Sequence, residues 1–374
     1  MSIDSMYSNS FATVASFLEE KQPSCKQYNE GIHSIDYELK YFYPNEGDHY
    51  YNLIPKTPSI EIHSSIVDYI SHVKKYSFDP FYVAKLPWVS VSCMNDVGSI
   101  VVESQNNYVF SDISTRYSFS EIDFTTTKLF GNSVLLALDS GSNYFHWVAQ
   151  ILPRIHLLNK YNIDWSMIDH IIIPEIRGEF VKETLNLLNI PLDKLVETKK
   201  GIQFSCENLI IPCKPNRHIH ITQWTLNFLN SLFLDNASSL SLSFPKKILI
   251  LRKSDYGRNF DDEDKLQSFL LDKGYHTFFL EEMTFLEQAF LFHNATHIFS
   301  AHGASLTNLL FCKPDTKVFE CFNSSHFHSL YWNISSLKEL DYYYIQGKDS
   351  QSNAQHIKNN SINLDYENLS KLPL

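Results

Sequence analysis

No stretch of about 18 consecutive apolar residues occurs in these 374 residues. The first 27 residues also lack a basic start followed by an apolar run. Both absences predict a chain with neither a membrane span nor a secretory leader, working in the cytoplasm. An excess of positive charge is missing too. Lys and Arg number 31 against 42 Asp and Glu, a net charge of −11, whereas nucleic-acid binders gain affinity from clustered cations that neutralise phosphates. Nucleic acid is therefore excluded as a partner, and any phosphate bound here has to be held locally. The six cysteines (Cys25, Cys93, Cys206, Cys213, Cys312 and Cys321) are scattered without CxxC spacing. In a chain too large to need a disulfide framework they read as reduced thiols. HExxH, GxSxG, Walker and GxGxxG motifs are all absent.

Apolar residues are plentiful. The hydrophobic share is 44%, and 27 Phe with 21 Tyr supply ample surface to bury. The length exceeds one hydrophobic core, and at about 150 residues per domain it predicts two. Residues 1–45 are polar and weakly periodic and read as an N-terminal extension. The span 46–240 reads as an N-terminal α/β domain and 241–374 as a C-terminal Rossmann-like domain, whose last helices are free to pack back on the first.

Between 53 and 130, short β-rich runs such as 99–103 and 107–110 predict strands at the edge of the first domain. A short apolar run at 133–138 then leads through a Ser/Gly loop into 144–161, where apolar residues recur at helical spacing. A strand at 170–174, a helix at 179–188 and a strand at 194–198 continue the rhythm of a parallel sheet with crossover helices. After a predicted helix at 222–234 the alternation restarts. Strands are predicted at 246–252, 276–280, 297–300 and 317–322, with helices at 262–273, 285–293 and 306–311 between them. Two Rossmann-like α/β domains, facing each other across an interdomain cleft, are the expectation. Pro153, inside the first helix, predicts a kink or local break.

The segment 296–308 runs an apolar strand through Ala301, His302, Gly303 and Ala304 into a helix start. Gly303 and Ala304 let a ligand approach the backbone, and unpaired amides at a helix N-terminus favour an anion such as phosphate. His302 is placed to donate to a phosphate oxygen, and Asn308 lies one turn further in. The same turn suits an ordinary tight strand-to-helix connection. Arg252, with Ser254 two residues on, ends a strand at the place where ligands of open parallel sheets sit. A guanidinium grips a diphosphate bidentately, and Arg258 offers an alternative. Glu320, near the end of the next strand, stands where a carboxylate accepts from ribose hydroxyls or is capped by local amides.

In the first half, Asn143, His146 and Trp147 open the helical stretch that continues to Arg154. A histidine in this first turn is suited to take a proton from an acceptor hydroxyl. Packing against Trp147 or capping of the loop is the alternative. The pairs His218/His220 and His326/His328 have the spacing of metal ligands on a strand, but no Cys or carboxylate cluster completes either. No metal is predicted.

Taken in order, these residues resemble glycosyltransferase family 61. The similar stretches are Asn143-Tyr-Phe-His-Trp147 with Leu152-Pro-Arg154, then Ile250-Leu-Arg252 and Met283-Thr-Phe-Leu-Glu-Gln288. They continue with Ser300-Ala-His-Gly-Ala-Ser-Leu-Thr-Asn-Leu-Leu-Phe311 and Val318-Phe-Glu320. The resemblance implies a GT-B fold and an inverting mechanism without a bound metal or cofactor. It further implies that the nucleotide sugar is a substrate held mainly by the C-terminal domain. On this resemblance Arg252, His302, Gly303 and Ala304 hold the diphosphate, Asn308 and Glu287 shape that pocket, Glu320 holds the ribose, and Ser254 joins the donor side. His146 is the candidate base, and Asn143, Trp147 and Arg154 belong to the acceptor side. Ser305 stands where the family usually has Gly. The implied acceptor is a glycan or lipid-linked glycan of surface polysaccharide (capsule or lipopolysaccharide) biosynthesis. The chain would meet it in the cytoplasm, at the inner face of the membrane or in a polysaccharide-assembly complex. A sugar-nucleotide epimerase and a non-catalytic nucleotide-sugar-binding scaffold are the rival readings.

Overall fold

The computed structural model of the chain describes strand residues at 38–42, 49–50, 75–76, 81–95, 98–103 and 108–109, and then residues 124–214, 221–237, 242–253, 259–323, 328–349 and 361–374. Two compact units divide the chain. The first comprises Met1–Asn45 and Asp79–Arg217, the second Glu46–Phe78 and His218–Leu374. Among the described residues no helix is long and apolar enough to cross a membrane.

An eight-stranded sheet organises the first unit. Its strands are β1 (Glu38–Phe42), β2 (Phe81–Asn95), β3 (Gly98–Glu103), β4 (Tyr108–Val109), β5 (Thr125–Leu135), β6 (His170–Ile173), β7 (Leu195–Glu197) and β8 (Ile202–Pro212). The order is β4-β3-β2-β8-β5-β6-β7, with β1 paired to the first half of β2. β8 joins two styles of pairing, antiparallel to β2 and parallel to β5, while β6 and β7 extend the parallel side. In mid-sheet, Phe130 and Gly131 of β5 stand opposite the single residue Glu207 of β8. Gly131 takes a left-handed φ of 78°, and its N–H donates to the Glu207 carboxylate at 2.8 Å. A bulge of this kind needs glycine at its left-handed residue.

The helical stretch after β5 is continuous but changes character. α1 (Tyr144–His146) passes into a π turn (Trp147–Ile151) and then into α2 (Leu152–Lys160). Within the π turn Leu152 N–H donates to Trp147 O, five residues back. Pro153 explains the widening, because its ring would collide with the carbonyl four residues earlier and it has no N–H to offer there. The predicted kink is thus absorbed as a π turn, a feature frequent at functional sites.

Arg154, on α2, is enclosed in this unit and only 1% exposed. Its guanidinium donates to Leu135 O (2.9 Å), Leu136 O (2.7 Å) and Pro212 O (2.8 and 3.0 Å). It ties together the carbonyl ends of the neighbouring parallel strands β5 and β8. Burial pushes its pKa down to about 10, which still leaves it charged near neutrality. Around it Trp147, Ile151, Leu158 and Ile172 are fully buried.

The second unit contains a five-stranded sheet of β9 (Lys247–Leu251), β10 (His276–Phe279), β11 (His297–Ala301), β12 (Lys317–Phe322) and β13 (Asp341–Gln346). Every neighbouring pair is parallel, and the order is β10-β9-β11-β12-β13. β9, β11 and β12 begin on partly exposed Lys or His and are buried from the second residue on. That near-continuous apolar run is what a strand covered on both faces requires. α3 (Phe180–Leu187) belongs to the first unit. α4 (Gln223–Ala237), α5 (Glu263–Leu271), α6 (Phe285–Asn294), α7 (Leu330–Leu337) and α8 (Tyr366–Leu369) belong to the second. On one face of the second sheet Leu249, Leu251, Phe299, Phe319 and Ile345 pack with Leu266 and Leu270 of α5. Each such fully buried side chain contributes about 1.5–3 kcal/mol. α8, which the sequence left free to pack on the first domain, seats Leu369 in this core. Both units are mixed α/β with parallel-rich sheets, in keeping with the Rossmann-like expectation.

Replacing Arg154 by Met leaves buried carbonyls of two strands without their donor. A destabilisation of about 3 kcal/mol or more is expected, read as a lower urea midpoint at unchanged slope.

Candidate functional site

The strand order of the second unit marks where a ligand site would lie. After β9 the chain crosses to one side of the sheet, and after β11 to the other. Ligands in open parallel sheets bind outside the carboxyl ends of the strands at such a switch point. Arg252 directly follows β9, and His302, Gly303 and Ala304 directly follow β11.

Arg252 Nη2 donates to His302 O at 2.6 Å. The guanidinium lies so close to Gly303 that a Cβ there would stand 1.6 Å from Nη2. Gly303 is extended (φ 168°), so the close approach rather than backbone strain demands glycine. Residues Ala304–Phe311 then form a 3-10 helix, not the α-helix expected from 306. Leu306 N–H already returns to Gly303 O at 2.9 Å. Among the described residues, the backbone N–H groups of Gly303, Ala304 and Ser305 donate to no protein acceptor. Three successive unpaired amides beside a guanidinium constitute a cradle for an anion.

The His302 ring is held from behind. Its Nδ1–H donates to Glu320 Oε1 at 2.5 Å, and Tyr342 O–H donates to Glu320 Oε2, also at 2.5 Å. Burial, and then the Glu320 carboxylate, push the Tyr342 phenol well above its ordinary pKa and keep it protonated as a donor. The imidazole stacks on Phe322 at 5.0 Å between centroids and packs against Tyr331 and His328. Glu320 is fully buried with both oxygens engaged. It orients His302 through Nδ1; the sequence left ribose binding and local capping open, and the resemblance implied a ribose. Tyr342 was not singled out in the sequence, since nothing in the run Asp341-Tyr-Tyr-Tyr-Ile345 tells which ring meets the carboxylate.

Asn308 is buried and donates to Gln288 Oε1 and Ser305 O, both at 3.1 Å, while Gln288 donates to Leu280 O and Met283 O. Asn308 thereby fixes the 3-10 turn against α6. Glu287 accepts from Thr284 N and Oγ1 at 2.8 and 2.9 Å, completing the capping box of α6. Ser254, Arg258, His218, His220 and His326 lie outside the described residues.

In the first unit, Asn143 accepts from Phe145 N–H at 2.9 Å and caps α1. Trp147 is fully buried and donates to Thr184 Oγ1 at 2.8 Å. With Arg154 committed to strand carbonyls, all three side chains assigned to the acceptor side are engaged in the fold. His146 differs. Its Nδ1 meets Gln150 Oε1 at 2.7 Å. Burial lowers its pKa, partly countered by the Gln150 hydrogen bond and Asp139 and reinforced by Lys214. The ring is therefore neutral at pH 7. No group of three or more His, Cys, Asp and Glu side chains able to hold a metal occurs among the described residues.

Two substitutions test this geometry. Tyr342→Phe strips a donor from a buried carboxylate and should cost about 1–3 kcal/mol in urea unfolding. Gly303→Ala displaces only the far end of Arg252, so the melting temperature should hardly move. Affinity for inorganic pyrophosphate, measured by calorimetry, should nonetheless fall about tenfold or more.

Among curated proteins none matches this chain. The family described as Glycosyltransferase 61 matches residues 144–319, from the start of α1 into β12. That match shows residues 144–319 to be similar to glycosyltransferase family 61.

Proposed function

We propose that this protein is an inverting, metal-independent glycosyltransferase of GT-B type. It transfers a sugar from a nucleotide-sugar donor to a glycan or lipid-linked glycan acceptor in surface polysaccharide biosynthesis, at the cytoplasmic face of the membrane. The observation that carries the donor half is the anion cradle at the switch point. The amides of Gly303, Ala304 and Ser305, the Arg252 guanidinium and the oriented ring of His302 follow the carboxyl ends of β9 and β11 and support a diphosphate site there. They are preorganised for the charge that grows on a leaving diphosphate, and the fold has already met the cost of orienting them.

His146 serves as the base. Neutral at pH 7, it accepts the proton of the acceptor hydroxyl as that oxygen bonds to the anomeric carbon. The bond from the anomeric carbon to the phosphate oxygen breaks, its electron pair leaves with the nucleoside diphosphate, and the configuration inverts. Because the neutral ring is the active form and burial lowers its pKa, activity should rise with pH through a midpoint below 6.5 and then level off.

The test is a screen of nucleotide sugars by thermal shift and by release of free nucleoside diphosphate. One donor should stabilise the protein and release diphosphate in an acceptor-dependent way. Arg252→Ala should reduce turnover by about 100-fold or more, and wild-type turnover in that variant would remove Arg252 from the donor site. Retention of the anomeric configuration in the product, read by NMR, would overturn the displacement mechanism.

A further inference from the structure

The hydrogen bond between His146 and Gln150 does more than join two neighbours on a helix. A neutral imidazole carries one proton, on Nδ1 or on Nε2, and only the other nitrogen has a lone pair to act as a base. Gln150 presents its amide oxygen to Nδ1 at 2.7 Å. An amide oxygen accepts and cannot donate, so the ring proton resides on Nδ1 and the lone pair on Nε2. Gln150 is itself 8% exposed, on the π turn that Pro153 imposes. Its backbone is therefore set by a helix feature independent of the histidine. The ring of Phe145 meets the imidazole edge to face at 5.1 Å and limits its rotation.

We propose that Gln150 is a positioning residue for His146, holding the imidazole in the Nδ1–H tautomer and so committing Nε2 to the accepting hydroxyl. The inference rests on the base role given to His146 above. Gln150 touches no reacting atom. When His146 takes the acceptor proton on Nε2, the Nδ1–H bond to the amide oxygen strengthens, because its donor has become cationic. The charged groups that bear on the ring are Asp139, in the loop before α1, and Lys214, just after β8. They oppose one another, which leaves the neutral amide as the group that selects the tautomer.

Long-range proton–nitrogen NMR of the full-length protein, with the His146 signals assigned by their absence in His146→Asn, reads the tautomer directly and needs no substrate. The wild-type ring should carry its proton on Nδ1. Gln150→Leu, apolar and similar in size, removes the acceptor. It should move the population toward Nε2–H and lower turnover about tenfold or more. Gln150→Glu puts a carboxylate on Nδ1. It should raise the His146 titration midpoint by about one pH unit or more, and the acid limb of the kcat profile should move with it. A wild-type ring protonated on Nε2, or a midpoint unmoved in Gln150→Glu, would overturn the proposal. The wild-type tautomer decides the matter even where a variant fails to fold. Should the ring respond as expected while His146→Asn keeps full turnover, the base role fails and the tautomer control by Gln150 stands.

Discussion

Parallel pairing of β9 with β11 is the constraint on which the geometry of the second unit's candidate site depends. Two adjacent strands whose chains depart to opposite sides cannot fill the space beyond their own carboxyl ends. The residues just past each strand are therefore open to a ligand, Arg252 after β9 and His302-Gly303 after β11. The 2.6 Å bond from the guanidinium to His302 O closes the gap between the two turns. It is available only because position 303 has no side chain. Pairing, glycine and arginine are thus one device, and the three unpaired amides beside them are its consequence.

The two units use arginine at the carbonyl ends of parallel strands in different ways. Arg154 is closed off from solvent, and its nitrogens are spent on carbonyls of β5 and β8, so the guanidinium acts as a clasp. Arg252 is partly exposed and stands beside amides that donate to no protein acceptor. The residue type is the same, and the difference lies in burial and in the backbone groups beside it. A guanidinium enclosed by carbonyls stabilises the fold, and one beside unpaired backbone donors adds positive charge where an anion would be favoured.

Much of the second unit was legible because parallel strands buried on both faces leave dense apolar runs, and because Ala301 to Ala304 interrupt one with small residues. The strands expected at 246–252, 276–280, 297–300 and 317–322 coincide with β9 to β12 to within a residue at each end. β8 escaped notice, although it sits in the middle of its sheet. Gln203, Ser205, Glu207 and Asn208 interrupt its apolar pattern, and one of them, Glu207, is explained by the bulge it stabilises. Arg154 and Glu320 show a different limit. A charged residue at a strand end or in a helix reads as available to a ligand, and only the fold reveals the carbonyls or donors that enclose it. Tyr342 and Gln150 were hidden for the complementary reason, since their partners lie on another strand or depend on which face of a turn they occupy.

His146 of the first unit and His302 of the second share one arrangement and differ in the charge of the partner behind the ring. Each is held through Nδ1, His146 by the amide oxygen of Gln150 and His302 by the carboxylate of Glu320. A neutral amide fixes the tautomer and adds little charge, which leaves a ring able to accept a proton. A carboxylate backed by Tyr342 supports a ring that donates. Accepting a proton and donating a hydrogen bond are opposite tasks for an imidazole. The same residue type suits either task, and what separates the two rings is the partner placed behind each, Gln150 four residues along the helical stretch and Glu320 on the adjoining strand.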